Sequence, residues 1–178
     1  MSAALNPPPP NRWVVPAPRK QFVVGVGNML ASNDTAANLV TYSLGSCVGV
    51  AIYDPSAKVG GLLHAMLPSS TINAKRAQAC PYMFVDSGLP AIFHAVYALG
   101  GLKHRLIVKL VGGAEFLDDK NIFQIGQRNV EAALALLARN GVALAARETG
   151  GHESRTVRLD LSNGNFTLNL PGRQPFPL

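Results

Sequence analysis

The stretch TYSLGSCVGVAIYDPSAKVGGLLHAML, Thr41 to Leu67, holds two apolar, β-branched runs separated by one turn signal. CVGVAIY (Cys47–Tyr53) and VGGLLHAML (Val59–Leu67) read as strands. Asp54 followed by Pro55 suits a type I turn, with Asp at its first position and Pro at its second. The pair is therefore an antiparallel hairpin. With Pro55 and Ser56 at the centre, or with a four-residue loop closed by Tyr53 and Lys58, Ile52 lies opposite Val59. Cys47 then lies opposite His64. A three-residue loop would move His64 to the other face.

Outward from the hairpin, FVVGVG (Phe22–Gly27) and LVTYS (Leu39–Ser43) read as preceding strands. A polar loop runs from Pro68 to about Pro81. DSGLPAIFHAVYALGG (Asp86–Gly101) is a helix capped by Asp86 or Ser87, with Leu89, Ile92, Phe93, Val96 and Tyr97 on one face. RLIVKLVGG is a strand with a glycine exit, GQRNVEAALALLARNG a second helix, and VALAARETG a further strand. The second helix has its apolar stripe at Val130, Ala133, Leu134 and Leu137. TVRLDLSNGNFTLNL (Thr156–Leu170) is a hairpin turning at Asn163-Gly164, which sets Leu161 opposite Phe166, Leu159 opposite Leu168 and Val157 opposite Leu170. Short turns between strands favour an α+β fold with largely antiparallel pairing over a doubly wound sheet.

The chain has 178 residues, 48% hydrophobic and 15% charged, which fits one globular domain over 21–178. Residues 1–20 read as an extended Pro-rich leader rather than a secretory signal, because four consecutive prolines interrupt any apolar core. No apolar run is long enough to span a bilayer. Two cysteines and no export signal point to a reducing cytoplasm without a disulfide framework. His64, His94, His104 and His152 show no metal-ligand spacing with Cys47 or Cys80, so no metal is expected. The net charge is +6, but Lys and Arg are scattered rather than gathered in a stripe, which argues against nucleic acid as a partner.

A neutral imidazole beside a thiol can take its proton and make a nucleophile. Gly45 permits a tight turn two residues before Cys47, and backbone N–H groups around Gly45 and Ser46 could support an oxyanion there. Thr41 and Ser43 are the nearby groups able to orient the imidazole. Gly60 and Gly61 clear side chains beside the histidine. The alternative is that Cys47 is a small buried hydrophobe and His64 a satisfied core residue. Spacing alone leaves both open.

The same stretch resembles the CheD family of chemoreceptor glutamine deamidases. The likeness rests on T-x-x-L-G-S-C-V from Thr41, the YDPSAKVGG turn and H-x-M-L-P from His64. FVDSGLP, KLVGGAEF, IGQRNVEAA and ETGGHESRTVRLDL extend it over about Phe22 to Leu170. The resemblance implies Cys47 as nucleophile, His64 as general base and Thr41 as the residue orienting it. It implies hydrolysis of glutamine side-chain amides on the cytoplasmic helices of methyl-accepting chemoreceptors through a thioester, without cofactors. It further implies a sandwich of packed sheets with outer helices, like cysteine-dependent toxin deamidases, and in some members a CheC-type phosphatase as partner. A receptor- or phosphatase-binding adaptor with little catalysis is the other reading. Phe84 stands where the family commonly has Tyr, and Ser154 where Gly is common before Arg155. Cys80 belongs to no such motif.

Overall fold

Among the described residues, ten strands form two five-stranded sheets packed face to face, with helices on the outer side of one of them. The computed structural model describes residues 19–115 and 124–178; the expected leader falls almost wholly outside them. The first sheet has the order β1-β3-β8-β9-β10, with β1 Lys20–Val23, β3 Ala37–Leu44, β8 Arg155–Asp160, β9 Phe166–Asn169 and β10 Phe176–Pro177. The second has the order β2-β5-β4-β6-β7, with β2 Asn28–Ser32, β4 Val48–Asp54, β5 Val59–Ala65, β6 Ile107–Gly112 and β7 Ala146–Thr149. Pairing is antiparallel except for β1 with β3 and β6 with β7. The expected α+β sandwich with outer helices is the architecture found.

Period-2 alternation explains the layers. From β4, Val48, Val50 and Ile52 face the helices α2 (Val85–Ala98) and α3 (Ile125–Arg139), against Leu89, Ile92, Val96, Ala133 and Leu137. Ala51 and Tyr53 turn the other way and meet Leu39, Val157, Leu159 and Phe166 of the first sheet. The second sheet is thus covered on both faces, which is why β4 and β5 are buried at every position. Gly60 shows how closely the sheets approach: a Cβ there would lie 2.5 Å from Leu161 Cδ2. Gly60 and Gly61 therefore make room for the opposite sheet and for Ile92 and Val96 of α2, rather than for the histidine.

Both hairpins keep the expected alternation but shift by one pair. In the first, Asp54 pairs with Val59 and Gly49, not Cys47, lies opposite His64. In the second, Leu159 pairs with Phe166 and Val157 with Leu168. The cause is the same in each: an aspartate captures the turn. Asp54 Oδ1 accepts from the N–H groups of Ser56 (2.9 Å) and Ala57 (3.0 Å). Asp160 Oδ1 accepts from the Ser162 N–H (2.9 Å) and hydroxyl (2.7 Å). Each loop has four residues and ends left-handed, at Lys58 (φ 50°) and Gly164 (φ 76°).

Three further expectations are corrected. NMLAS, not anticipated as a strand, is β2 and covers β5. The polar loop contains α1, Ala74–Ala79, flanked by 3-10 turns. α2 starts at Val85, so neither Asp86 nor Ser87 is its cap; the Asp86 carboxylate instead accepts from the Ser70 N–H and the Ser69 and Ser70 hydroxyls. Among the described residues no helix is long and apolar enough to cross a membrane.

Candidate active site

The chain crosses from the first sheet to the second between β3 and β4, and the expected catalytic residues gather around that crossing. β3 loses register with β8 between Thr41 and Leu44, and Ser43 is left-handed (φ 55°). Leu44, Gly45, Ser46 and Cys47 then carry the chain across to Val48, the first residue of β4. Thr41 sits on the inner face of the first sheet and His64 on the inner face of the second, both fully buried. They meet across the gap, with Thr41 Oγ1 2.7 Å from His64 Nδ1.

The proton positions in this contact follow from chemistry. The Thr41 hydroxyl donates its single hydrogen to the Val24 carbonyl at 2.6 Å. Its oxygen can then only accept from the ring, so Nδ1 carries the imidazole hydrogen. Nε2 is left with the lone pair. It is buried and has no hydrogen-bond partner among the described residues. The backbone of His64 is held too, by Gly27 N–H to its carbonyl at 2.8 Å. Burial pushes the His64 pKa down to about 4, so the ring is neutral at neutral pH.

Cys47 precedes Gly49 by two residues, so it lies on the same inner side as His64, one step diagonally along the ladder rather than directly across. It is half-buried and packs against the core between the sheets. Desolvation raises its pKa, and its own backbone N–H opposes part of that rise. The thiol is therefore protonated at rest. The face-sharing expected from the sequence holds because the register moved by two positions, which preserves faces.

The turn bearing the thiol is held from one side. Ala114 N–H donates to the Gly45 carbonyl (2.8 Å) and Gly113 N–H to the Cys47 carbonyl (2.7 Å). The Asn129 side chain, from α3, donates to the Ser46 carbonyl (2.9 Å). The sequence reading missed Asn129. Its signal was a polar residue on the face of the second helix that buries Ala133 and Leu137. Ser43 faces solvent and takes no part in orienting the ring. The described residues contain no group of three or more acidic, His or Cys side chains able to hold a metal. Cys80 caps the end of α1, and Phe84 is fully buried at the start of α2. Arg155 is buried; it pairs with Glu148 and donates to the carbonyls of Gly150 (2.6 Å) and Glu153 (2.8 Å), tying β8 of the first sheet to β7 of the second.

Comparison with known proteins places the chain in one family. Residues 66–170 match the family described as CheD chemotactic sensory transduction. Curated relatives bear the name probable chemoreceptor glutamine deamidase CheD. The protein of Syntrophus aciditrophicus is 45% identical, over 84% of this chain and 94% of its own. That of Solibacter usitatus is 43% identical, over 87% and 92%. That of the archaeon Pyrococcus horikoshii is 42% identical, over 84% and 91%. Among solved structures, a Neisseria meningitidis protein reaches a TM-score of 0.43 at 9% identity, covering 75% of this chain and 64% of its own, too loose a likeness to bear on function.

Proposed function

The chain belongs to the CheD family, and from that membership we propose that it hydrolyses glutamine side-chain amides on the cytoplasmic helices of chemoreceptors, with Cys47 as nucleophile, His64 as base and Thr41 as the residue orienting the base. The observation that carries this reading is the relay Val24 carbonyl–Thr41 hydroxyl–His64 Nδ1, which leaves a neutral imidazole with its lone pair on Nε2.

In the first half-reaction Nε2 takes the thiol proton as Sγ attacks the amide carbon. The carbonyl oxygen becomes an oxyanion, which the backbone N–H groups of the Gly45–Cys47 turn would hold. The imidazolium returns the proton to the departing nitrogen, and ammonia leaves. In the second half-reaction His64 deprotonates a water that attacks the thioester. The products are a glutamate side chain and the free thiol. No cofactor takes part in this scheme. The Thr41 hydroxyl accepts from Nδ1–H throughout and stabilises the imidazolium without taking its proton.

A receptor-binding adaptor has no use for a buried histidine held in one tautomer, so this arrangement favours the enzyme. Binding to a CheC-type phosphatase and a cytoplasmic location belong with the same reading. Cys47→Ala should abolish glutamine-to-glutamate conversion on purified receptor, followed by mass spectrometry, while circular dichroism and Tm stay near those of the parent. Persistent conversion by a folded Cys47→Ala protein would exclude the mechanism.

A further inference from the structure

We infer that Asn129 is a positioning residue that aims the Cys47 N–H at the carbonyl oxygen under attack. This rests on the deamidase reading above. The side-chain amide of Asn129 is fully buried, and its Nδ2 donates to two carbonyls, Ser46 and Met66, each at 2.9 Å. Both neighbours are carbonyl oxygens, which only accept, so the amino end of the amide must face them. Ser46 immediately precedes Cys47. Met66 follows His64 by two residues. The β4–β5 ladder ends at Val48 with Ala65, and Asn129 bridges the two chains where they part.

The effect on Cys47 follows from peptide geometry. In a trans peptide the carbonyl and the following N–H point in opposite directions. The carbonyls of Gly45, Ser46 and Cys47 are drawn to Ala114, Asn129 and Gly113. The Cys47 N–H therefore points away from α3 and the Ser46 N–H away from Ala114, and neither has a backbone acceptor among the described residues. Helix α3 is itself seated against this support. A Cβ on Gly126 would lie 2.5 Å from the Ala114 carbonyl oxygen and 2.7 Å from that of Gly113, so the helix backbone rests directly on the segment that also holds the turn. Without the Asn129 donors, the Ser46–Cys47 peptide is free to rotate while the thiol itself remains.

That distinction gives the test. In a Cys80→Ala background, kcat and KM for glutamine conversion on purified receptor are compared with the rate at which iodoacetamide alkylates Cys47, read by intact mass. Alkylation is a displacement at a saturated carbon and builds no oxyanion. Asn129→Ala should lower kcat about a hundredfold, the scale of losing one oxyanion donor. KM and the alkylation rate should stay within about threefold of the parent. Asn129→Ser, which keeps one donor, should regain part of the loss. Should the alanine protein not fold, the serine and glutamine variants are judged by the same ratio of kcat loss to alkylation loss. A folded variant with kcat within about threefold of the parent, or one whose alkylation falls in step with kcat, overturns the positioning role. The parent and its Cys47→Ala form are run alongside. If the parent converts no glutamine, or the Cys47→Ala form still does, the deamidase reading fails and the positioning role falls with it. If both controls behave and only the Asn129 variants defy expectation, the positioning role alone is wrong.

Discussion

At the scale of single residues, burial decides how His64 responds to pH. A solvent-exposed histidine titrates near 6.5, whereas burial brings this one to about 4. In the proposed mechanism its neutral form is the base, so the acid limb of kcat/KM should fall near pH 4 rather than near 6.5. The same shift links to stability. The unfolded chain takes up the proton at higher pH than the folded one. The histidine's stabilising contribution is therefore fully present above pH 6.5 and drains away as pH falls toward 4. The loss is on the order of 3 kcal/mol. Urea unfolding between those pH values should show the slope in the parent and a flatter one in His64→Gln; equal slopes would refute the assignment. That Thr41 reaches His64, and that Cys47 lies on the same face as His64, was legible from spacing and family resemblance together. Asn129 was not, because an asparagine in a helix reads as surface until the neighbouring carbonyls are known.

At the scale of elements, the two hairpins show what a turn motif specifies and what it leaves open. Alternation placed each residue on its correct face, since faces depend on parity. The pairing itself depended on side chains that the motif does not describe. Asp54 accepts from Ser56 and Ala57, and also from the Leu102 N–H (2.9 Å) and the Arg105 guanidinium. Burial alone would raise its pKa, but Arg105 and these N–H groups outweigh that and hold it at about 2. Asp54→Ala removes the acceptor and leaves the buried N–H groups and Arg105 without it. The variant should be destabilised by about 3 kcal/mol in urea unfolding at pH 7. A change below about 0.5 kcal/mol, typical of an ordinary surface site, would show that the carboxylate is not what sets the turn. β2 was overlooked because NMLAS lacks the β-branched residues that mark strands. It exists because β5 offers it an edge, which is tertiary information.

At the scale of the whole molecule, the proposed mechanism depends on how two layers sit against each other. Thr41 comes from one sheet and His64 from the other, and the chain crosses between the sheets where the thiol lies. The sequence announced most of the strands but not which faces meet; only the family resemblance implied a sandwich. Gly60 sets part of the gap. Gly60→Val would drive a side chain into Leu161 and Leu159. It should cost about 1–3 kcal/mol of stability through overpacking. It should also lower kcat, although Gly60 touches no reacting group, by stretching the bond between Thr41 and His64. Unchanged kcat in a folded Gly60→Val protein would show that the site tolerates sliding of the layers.

The proposed site also lacks something familiar from many hydrolases: its third partner is a hydroxyl, so threonine, neutral imidazole and protonated thiol hold no formal charge between turnovers. The chain as a whole carries +6. The proposed reaction turns a neutral amide into a carboxylate. Nothing among the three proposed residues repels that anion, and the net positive charge of the chain attracts it. The product would therefore be held more firmly than the substrate, and letting go of it, rather than making it, would govern repeated turnover at low salt.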